Sequence, residues 1–413
     1  MSPLVLAAAW GGAGVVATLG VRLLRVRRLG PLVGVGLAIL SITGATVGAT
    51  GGPLSGGDPA LARVGLGLLA AGGVALAAAH LLQGVSDGFE PLILGVVGGT
   101  VVLILAARSP LLWGLAALVA MGTVSVRWLT LSPGRATLAA GRIPALGAAA
   151  ILAAAPFLPV TGEGSGPGAT LVGNLLLVGV IGLLALVPAG GWAVGSAAVV
   201  RSGEIAVWMF LIAPAVLITS ATIPSDLVLG GRLTFEHGLL VAGLVSAMWG
   251  GVQASRRVGR GTAYTRVAVA DLALFAAGIG STQAVARSGG LLLVLTHLVV
   301  GPLLLQTPVA ALARQRRLGW VALSGIPPSP AFWGRLLVLE GCAAASSQAG
   351  LTCLIALGFL FLAAVLALVR GEHAREGPDV GHPRQVLAWV IGVAGIALGL
   401  APGAVGRVIF GGL

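Results

Sequence analysis

Leu323 to Ala345 reads LSGIPPSPAFWGRLLVLEGCAAA. Apart from Arg335 and Glu340 it carries no charge, and Pro327 and Pro328 stand inside an otherwise continuous apolar segment, 319–345. Each proline removes a backbone donor and clashes with the preceding turn, so two in succession bend or break a helix. Broken backbone at membrane depth is tolerated where it is buried in protein or lines a cavity. Charges there are expensive and mark function. The stretch therefore predicts a broken membrane helix with Arg335 and Glu340 as candidate functional groups.

The rest of the chain agrees with that environment. Of its 413 residues 57% are hydrophobic and 9% charged, and the mean hydropathy is +1.05. Soluble domains carry about 25% charged residues, so a water-soluble fold of this size could not cover its surface. Apolar runs long enough to span a bilayer recur throughout and do not alternate, which favours helices over a transmembrane barrel. Segments near 3–20, 31–50, 61–82, 91–107, 110–125, 143–160, 169–187, 205–222, 238–254, 266–286, 290–310, 319–345, 350–369 and 385–402 give an all-α, polytopic membrane bundle of about 14 transmembrane helices. The loops leave no room for a soluble domain. The longest polar stretch, 370–384, with Glu372, His373, Arg375, Glu376, Asp379 and His382, is a solvated loop or a partner-docking loop.

The 24 basic residues are all arginine. They lie in short loops between apolar segments, which fits cytoplasmic retention and not nucleic-acid binding. Most fall in alternate loops, beginning with Arg22, Arg25, Arg27 and Arg28, a bias that places both termini outside the cytoplasm. The Ala, Gly, Val and Arg usage suggests a GC-rich bacterial genome, hence a multi-pass protein of the bacterial inner membrane. The N-terminal apolar run lacks a preceding basic region and reads as a first helix rather than a signal peptide. Cys342 and Cys353, in or beside apolar segments, imply neither a disulfide framework nor a metal site.

Prolines also stand mid-helix at Pro214, in 205–222, and Pro302, in 290–310. Such breaks line ion sites in transporters. Few titratable groups fall inside spans. Asp271 and His297 each have long apolar flanks. Arg335 and Glu340 could form a structural ion pair. Glu204 opens a helix near Arg201, where it could complement the helix dipole. Arg260 shares a loop with Arg256 and Arg257, and His80 is interfacial. No spacing of His, Cys or Glu suits a metal, and neither a phosphate loop nor a nucleophile–base pair stands out. No cofactor is expected on this chain.

Residues 323–335 resemble a signature of the antiporter-like membrane subunits of respiratory complex I, membrane-bound hydrogenases and multi-subunit cation/proton antiporters: Leu-Ser, a small residue, Gly-Ile-Pro-Pro, then Gly-Phe-x-x-Lys. Arg335 takes the place of that lysine. Weaker echoes keep the family order. Pro188-Ala189-Gly190-Gly191-Trp192 is similar to Pro-Phe-His-x-Trp. Residues 260–265 are similar to Lys-Arg-Leu-x-x-Tyr-Ser, with Arg260 on its arginine. Residues 297–304 are similar to His-x-x-x-Lys-Ala-Leu-Leu, with His297 on its histidine. The resemblance spans roughly 130–345.

It implies broken helices and inverted repeats within one membrane domain, 1–413: N-terminal helices 1–125, a first antiporter-like half 130–254, a second half 255–370, and a C-terminal loop and helix 371–413. It implies partners among other membrane subunits in the bilayer, with electron transfer left to those partners. The departures matter as much. No acid occurs between Glu90 and Glu163, where the family's first proton-path helix has a glutamate. The family lysines fall on an apolar position near Pro214, near Gly259 and on Gly301. The family also has two helices where 319–345 reads as one. Arginine keeps its proton, with a pKa above about 12, so a lysine relay cannot run here. Proton-path candidates are then Glu204, Arg260, Asp271, His297, Arg335 and Glu340, with Arg335 tuning the field. Three functions follow: a proton-translocating subunit of a redox-driven pump, a non-conducting structural subunit of the same membrane arm, or a free-standing secondary transporter.

Overall fold

A computed structural model describes residues 110–131, 135–157, 167–189, 192–194, 207–221, 227–230, 233–256, 262–305, 312–370 and 381–401, with scattered positions between 68 and 100 and at 205, 223 and 403. The segments expected at 3–20 and 31–50, the loop 371–380, and His80, Glu204 and Arg260 lie outside the described residues. The chain divides into two compact units, Met1–Leu183 with Val199–Phe235, and Leu184–Ala198 with Glu236–Leu413.

In the first unit, α1 (Pro110–Leu131), α2 (Arg135–Ala154) and α3 (Pro167–Leu183) pack on one another in sequence order. The break expected at Pro214 takes a specific form. Pro214 has no N–H for the Phe210 carbonyl. The preceding turn, Trp208–Ile212, is a π-helix in which the N–H of Ala213 reaches Trp208 O, and α4 (Ala213–Ser220) starts there. A π turn absorbs the misfit by changing the hydrogen-bond period within the helix. The indole Nε1 of Trp208 donates to Leu183 O at 2.8 Å, satisfying a carbonyl at the end of α3. An antiparallel pair not expected from the sequence follows, β1 (Val228–Gly230) and β2 (Leu233–Thr234). It is tied to α3 by Asn174 Nδ2, which donates to Leu229 O at 2.9 Å.

The second unit holds α5 (Phe235–Ser255), α6 (Thr262–Gly280), α7 (Ala284–Leu304), α8 (Ala313–Leu323), α9 (Pro330–Ala345), α10 (Ser347–Arg370) and α11 (His382–Leu400). Among the described residues five helices are long and apolar enough to cross a membrane: α5, α6, α7, α10 and α11. The protein is a multi-pass, helical membrane protein. α7 lies at the centre of this unit, packed against α6, α8, α9 and α11. α6 is almost wholly buried, whereas α10 and α11 turn Leu351, Leu354, Phe361, Val390 and Val393 outward, as lipid-facing helices do.

Two expectations are corrected. The segment 319–345, counted as one broken span, is two separate helices: the break expected at Pro327 and Pro328 is a turn, the chain leaving helical geometry after Leu323 and re-entering at Pro330. Pro302 is not mid-helix: α7 runs from Ala284 and ends at Leu304, so this proline stands in its last turn.

Close approach of backbones holds α7 to α9. A Cβ on Gly289 would lie 2.5 Å from Gly334 O, and one on Gly334 would lie 3.0 Å from Gly289 O. Neither position has room for a methyl group, and in lipid such contacts drive helix association. Gly289→Val is expected to destabilise the protein by about 1–3 kcal/mol, read as a lower unfolding midpoint in detergent. An unchanged midpoint would count against this contact.

Candidate functional site

α6, α7 and α9 bring four polar side chains together in the second unit. Tyr264 and Asp271 stand seven residues apart on α6, two helical turns, and so share a face. His297 comes from α7 and Arg335 from the first turns of α9. All four are buried: Asp271 is 1%, Tyr264 2%, His297 4% and Arg335 4% exposed.

They form one hydrogen-bonded chain. The Tyr264 hydroxyl is 3.2 Å from His297 Nδ1. His297 Nε2 is 2.9 Å from Asp271 Oδ2. Arg335 grips the same carboxylate with both arms, Nε donating to Oδ1 at 3.0 Å and Nη2 to Oδ2 at 2.9 Å. Its remaining arm, Nη1, donates to Leu323 O at 3.1 Å.

The broken helix explains that last contact. In an unbroken helix Leu323 O would accept from the N–H four residues on, but that residue is Pro327, which has none. Arg335 supplies the missing donor, so the break orients the guanidinium toward Asp271. Gly325 allows the close approach: its φ is +72°, and a Cβ there would lie 2.9 Å from Arg335 Nη1. Ser329 starts α9 cleanly, its hydroxyl accepting from Phe332 N at 3.2 Å.

Donor and acceptor roles follow from the pairing. A carboxylate held by a guanidinium is acceptor-only, so His297 Nε2 carries the hydrogen facing Asp271. In the neutral ring Nδ1 then accepts from the Tyr264 hydroxyl. In the protonated ring Nδ1 donates to it. The two states differ by one hydroxyl rotation and require no heavy atom to move. Arg335 offsets the charge of Asp271 at hydrogen-bond distance.

The other candidates fall elsewhere. Glu340 is exposed and does not pair with Arg335. Five helical positions turn it about 140° away from Arg335, whose partner is Asp271. Among the described residues no group of His, Cys, Asp and Glu could hold a metal ion.

No protein-family model matches the chain, and no curated protein matches it. Solved structures do. A chain of the Mrp complex from Dietzia sp. superimposes with a TM-score of 0.83 at 14% identity, covering 99% of this chain and 51% of that one. A chain of respiratory complex I from Thermus thermophilus with bound NADH gives 0.80 at 17% identity, covering 99% and 97%. A chain of the membrane-bound sulfane sulfur reductase, an archaeal respiratory membrane complex, gives 0.76 at 15% identity, covering 96% and 76%. The chain has the fold of these membrane-complex chains. It spans about half the length of the Dietzia chain and nearly all of the Thermus one. The shared fold agrees with the antiporter-like resemblance carried by residues 323–335.

Within that fold two buried residues were not singled out by the sequence. Tyr264 was one letter of a motif echo, and only its distance of seven from Asp271 hinted at a shared face. Arg316, 2% exposed, donates from Nη1 to Leu303 O at 2.7 Å and from Nη2 to Leu304 O at 3.2 Å. It closes the carbonyl end of α7, where the helix dipole is negative.

Breaking the central pair from one side leaves a buried charge alone. Asp271→Asn or Arg335→Met is expected to destabilise the protein by about 3–5 kcal/mol, and the double variant should recover most of that loss. Unfolding midpoints in detergent measure the cycle, and additive losses would show that the two groups do not act as a pair. Gly325→Ala is expected to destabilise by about 1–3 kcal/mol through strain at positive φ together with the approach of its Cβ to Arg335 Nη1, and the loss should be smaller in the Arg335→Met background, where only the strain remains. An equal loss in both backgrounds would separate the glycine from the guanidinium.

Proposed function

We propose that this chain is an antiporter-like membrane subunit of a complex I-like or hydrogenase-like, redox-driven ion pump, and that it contributes to proton translocation. The observation that carries this is the unbroken hydrogen-bonded chain Tyr264–His297–Asp271–Arg335, buried in a membrane bundle and oriented by a broken helix. The chain would span the bacterial inner membrane about 14 times as inverted repeats, with halves near 130–254 and 255–370. Its partners would be other membrane subunits, which would hold the redox cofactors. The three matched structures are themselves described as complexes, which supports a subunit over a free-standing transporter.

His297 is the proton carrier in this proposal. Charge or motion in a neighbouring subunit shifts the balance between its neutral and protonated states. Arg335 fixes the field through Asp271 and does not itself hand over a proton. Tyr264 passes the proton at the far end, as its hydroxyl both donates and accepts. Glu204 and Arg260 are proposed as further members of the path.

One observation favours a second reading, a non-conducting structural subunit. Asp271 is neutralised by a guanidinium, the side chain least able to release a proton, and Glu340 faces away. In that case the cluster would serve only to lock α6, α7 and α9.

The assembled complex in proteoliposomes separates the two. His297→Ala is expected to lower this subunit's share of translocation by about a hundredfold, the scale of losing a positioned proton carrier, with Tyr264→Phe lowering it less. Unchanged protons per turnover in both variants would remove the conducting role and leave the structural one.

A further inference from the structure

The helix break leaves a cavity beside the ionic cluster. Its volume is about 180 Å³, and it lies between α9, α10 and the turn that precedes α9. Leu336 and Leu339 of α9 and Leu357 and Phe361 of α10 form apolar walls, and Gly325 and Arg335 line it as well. Leu336 and Phe361 are exposed, so the cavity opens on the apolar outer face of the two helices. Leu357 and Phe361 are the eleventh and fifteenth of the 24 residues of α10. The opening therefore lies near the middle of a helix long enough to cross a membrane, beyond the reach of lipid head groups.

Arg335 is the one charged residue lining this cavity, and it has donors to spare. A guanidinium carries five N–H groups. Two grip Asp271 and one goes to Leu323 O. The other two, one on each Nη, have no partner among the described residues. Nη1 lies against the Gly325 wall, where a Cβ would stand 2.9 Å from it. A residue without a side chain leaves that nitrogen uncovered.

Lipid tails would fill a purely apolar pocket without any site being built. They would leave the spare donors unsatisfied, which is costly away from water. Apolar walls beside a buried donor instead fit an apolar body that carries an acceptor oxygen. Charge narrows the class. Asp271 already offsets Arg335, so an anionic head would bring a second negative charge to the pair, and a cation would meet the guanidinium. Either would also lose its water at this depth. Size narrows it further. Pockets for drug-sized ligands hold roughly 300–1,000 Å³, so this one admits a ring or a short arm, with the rest of the molecule in lipid.

We propose that this cavity is a binding site for a neutral, lipid-soluble carbonyl compound, which enters sideways from the bilayer and accepts a hydrogen bond from Arg335. The inference rests on the placement of Arg335 and not on proton translocation by this chain.

Photolabelling of the full chain in its native membranes tests this. The probe is benzophenone, a neutral aromatic ketone that inserts into nearby C–H bonds when illuminated, with adducts mapped by peptide mass spectrometry. Adducts should saturate with probe concentration and concentrate at Leu336, Leu339, Leu357 and Phe361. Fluorenone and fluorene, alike in shape but with and without a carbonyl, serve as competitors. Fluorenone should displace the probe at a concentration about tenfold lower, the scale of one hydrogen bond from a charged donor. Leu357→Trp, which fills the cavity from α10, should abolish the saturable adducts. Unsaturable labelling spread over Leu351, Val390 and Val393 would mean that lipid tails alone occupy the cavity, and would overturn the proposal. Equal competition by the two compounds would overturn it too, as would absence of adducts, the sign of a neighbouring subunit covering the face. Should Leu357→Trp fail to assemble, the competition on the unmodified chain decides alone. None of these readouts involves ion translocation, so failure here and failure of the proposed function are distinguishable.

Discussion

A carboxylate and a guanidinium sealed inside an apolar bundle must find each other. The isolated charges would be too costly to bury, and their pairing repays that cost only when geometry is good and the remaining polar atoms are satisfied. Asp271 and Arg335 meet both conditions. The fork grips both carboxylate oxygens, His297 donates to one of them, and the free arm of the guanidinium goes to Leu323 O. Three helices, α6, α7 and α9, are held in register by this one set of contacts.

That constraint gives the broken helix its purpose. Pro327 deprives Leu323 O of its helical partner, Gly325 turns the chain through positive φ, and Ser329 restarts the helix. Arg335 then sits one turn inside α9, where it reaches back to the freed carbonyl and across to Asp271. The end of α7 follows the same logic: carbonyls left open near a proline are closed by a buried arginine, Arg316, from the next helix. A chain with arginine and no lysine thus uses guanidinium groups to finish helix ends inside the membrane. Those groups fix charge in place.

The central helix approaches α9 through facing glycines, while the outer faces of α10 and α11 remain apolar. Close backbone packing thus lies beside the ionic cluster on the α7 side of α9, and lipid-compatible surface lies on the outer helices.

The sequence by itself determined the environment and most of the parts. Sparse charge and long apolar runs required membrane helices, because a protein surface in water needs more charge than this chain has. Pro214, Pro327 and Pro328 marked backbone breaks, since a missing N–H is a local fact that needs no partner. Asp271, His297 and Arg335 stood out because apolar flanks on a single helix already make a charge expensive. Who pairs with whom was decided only by the tertiary structure. Arg335 faces Asp271 and not its neighbour Glu340, because the choice depends on the rotation of three helices against one another. Tyr264 and Arg316 were passed over for the same reason: their partners lie on other helices.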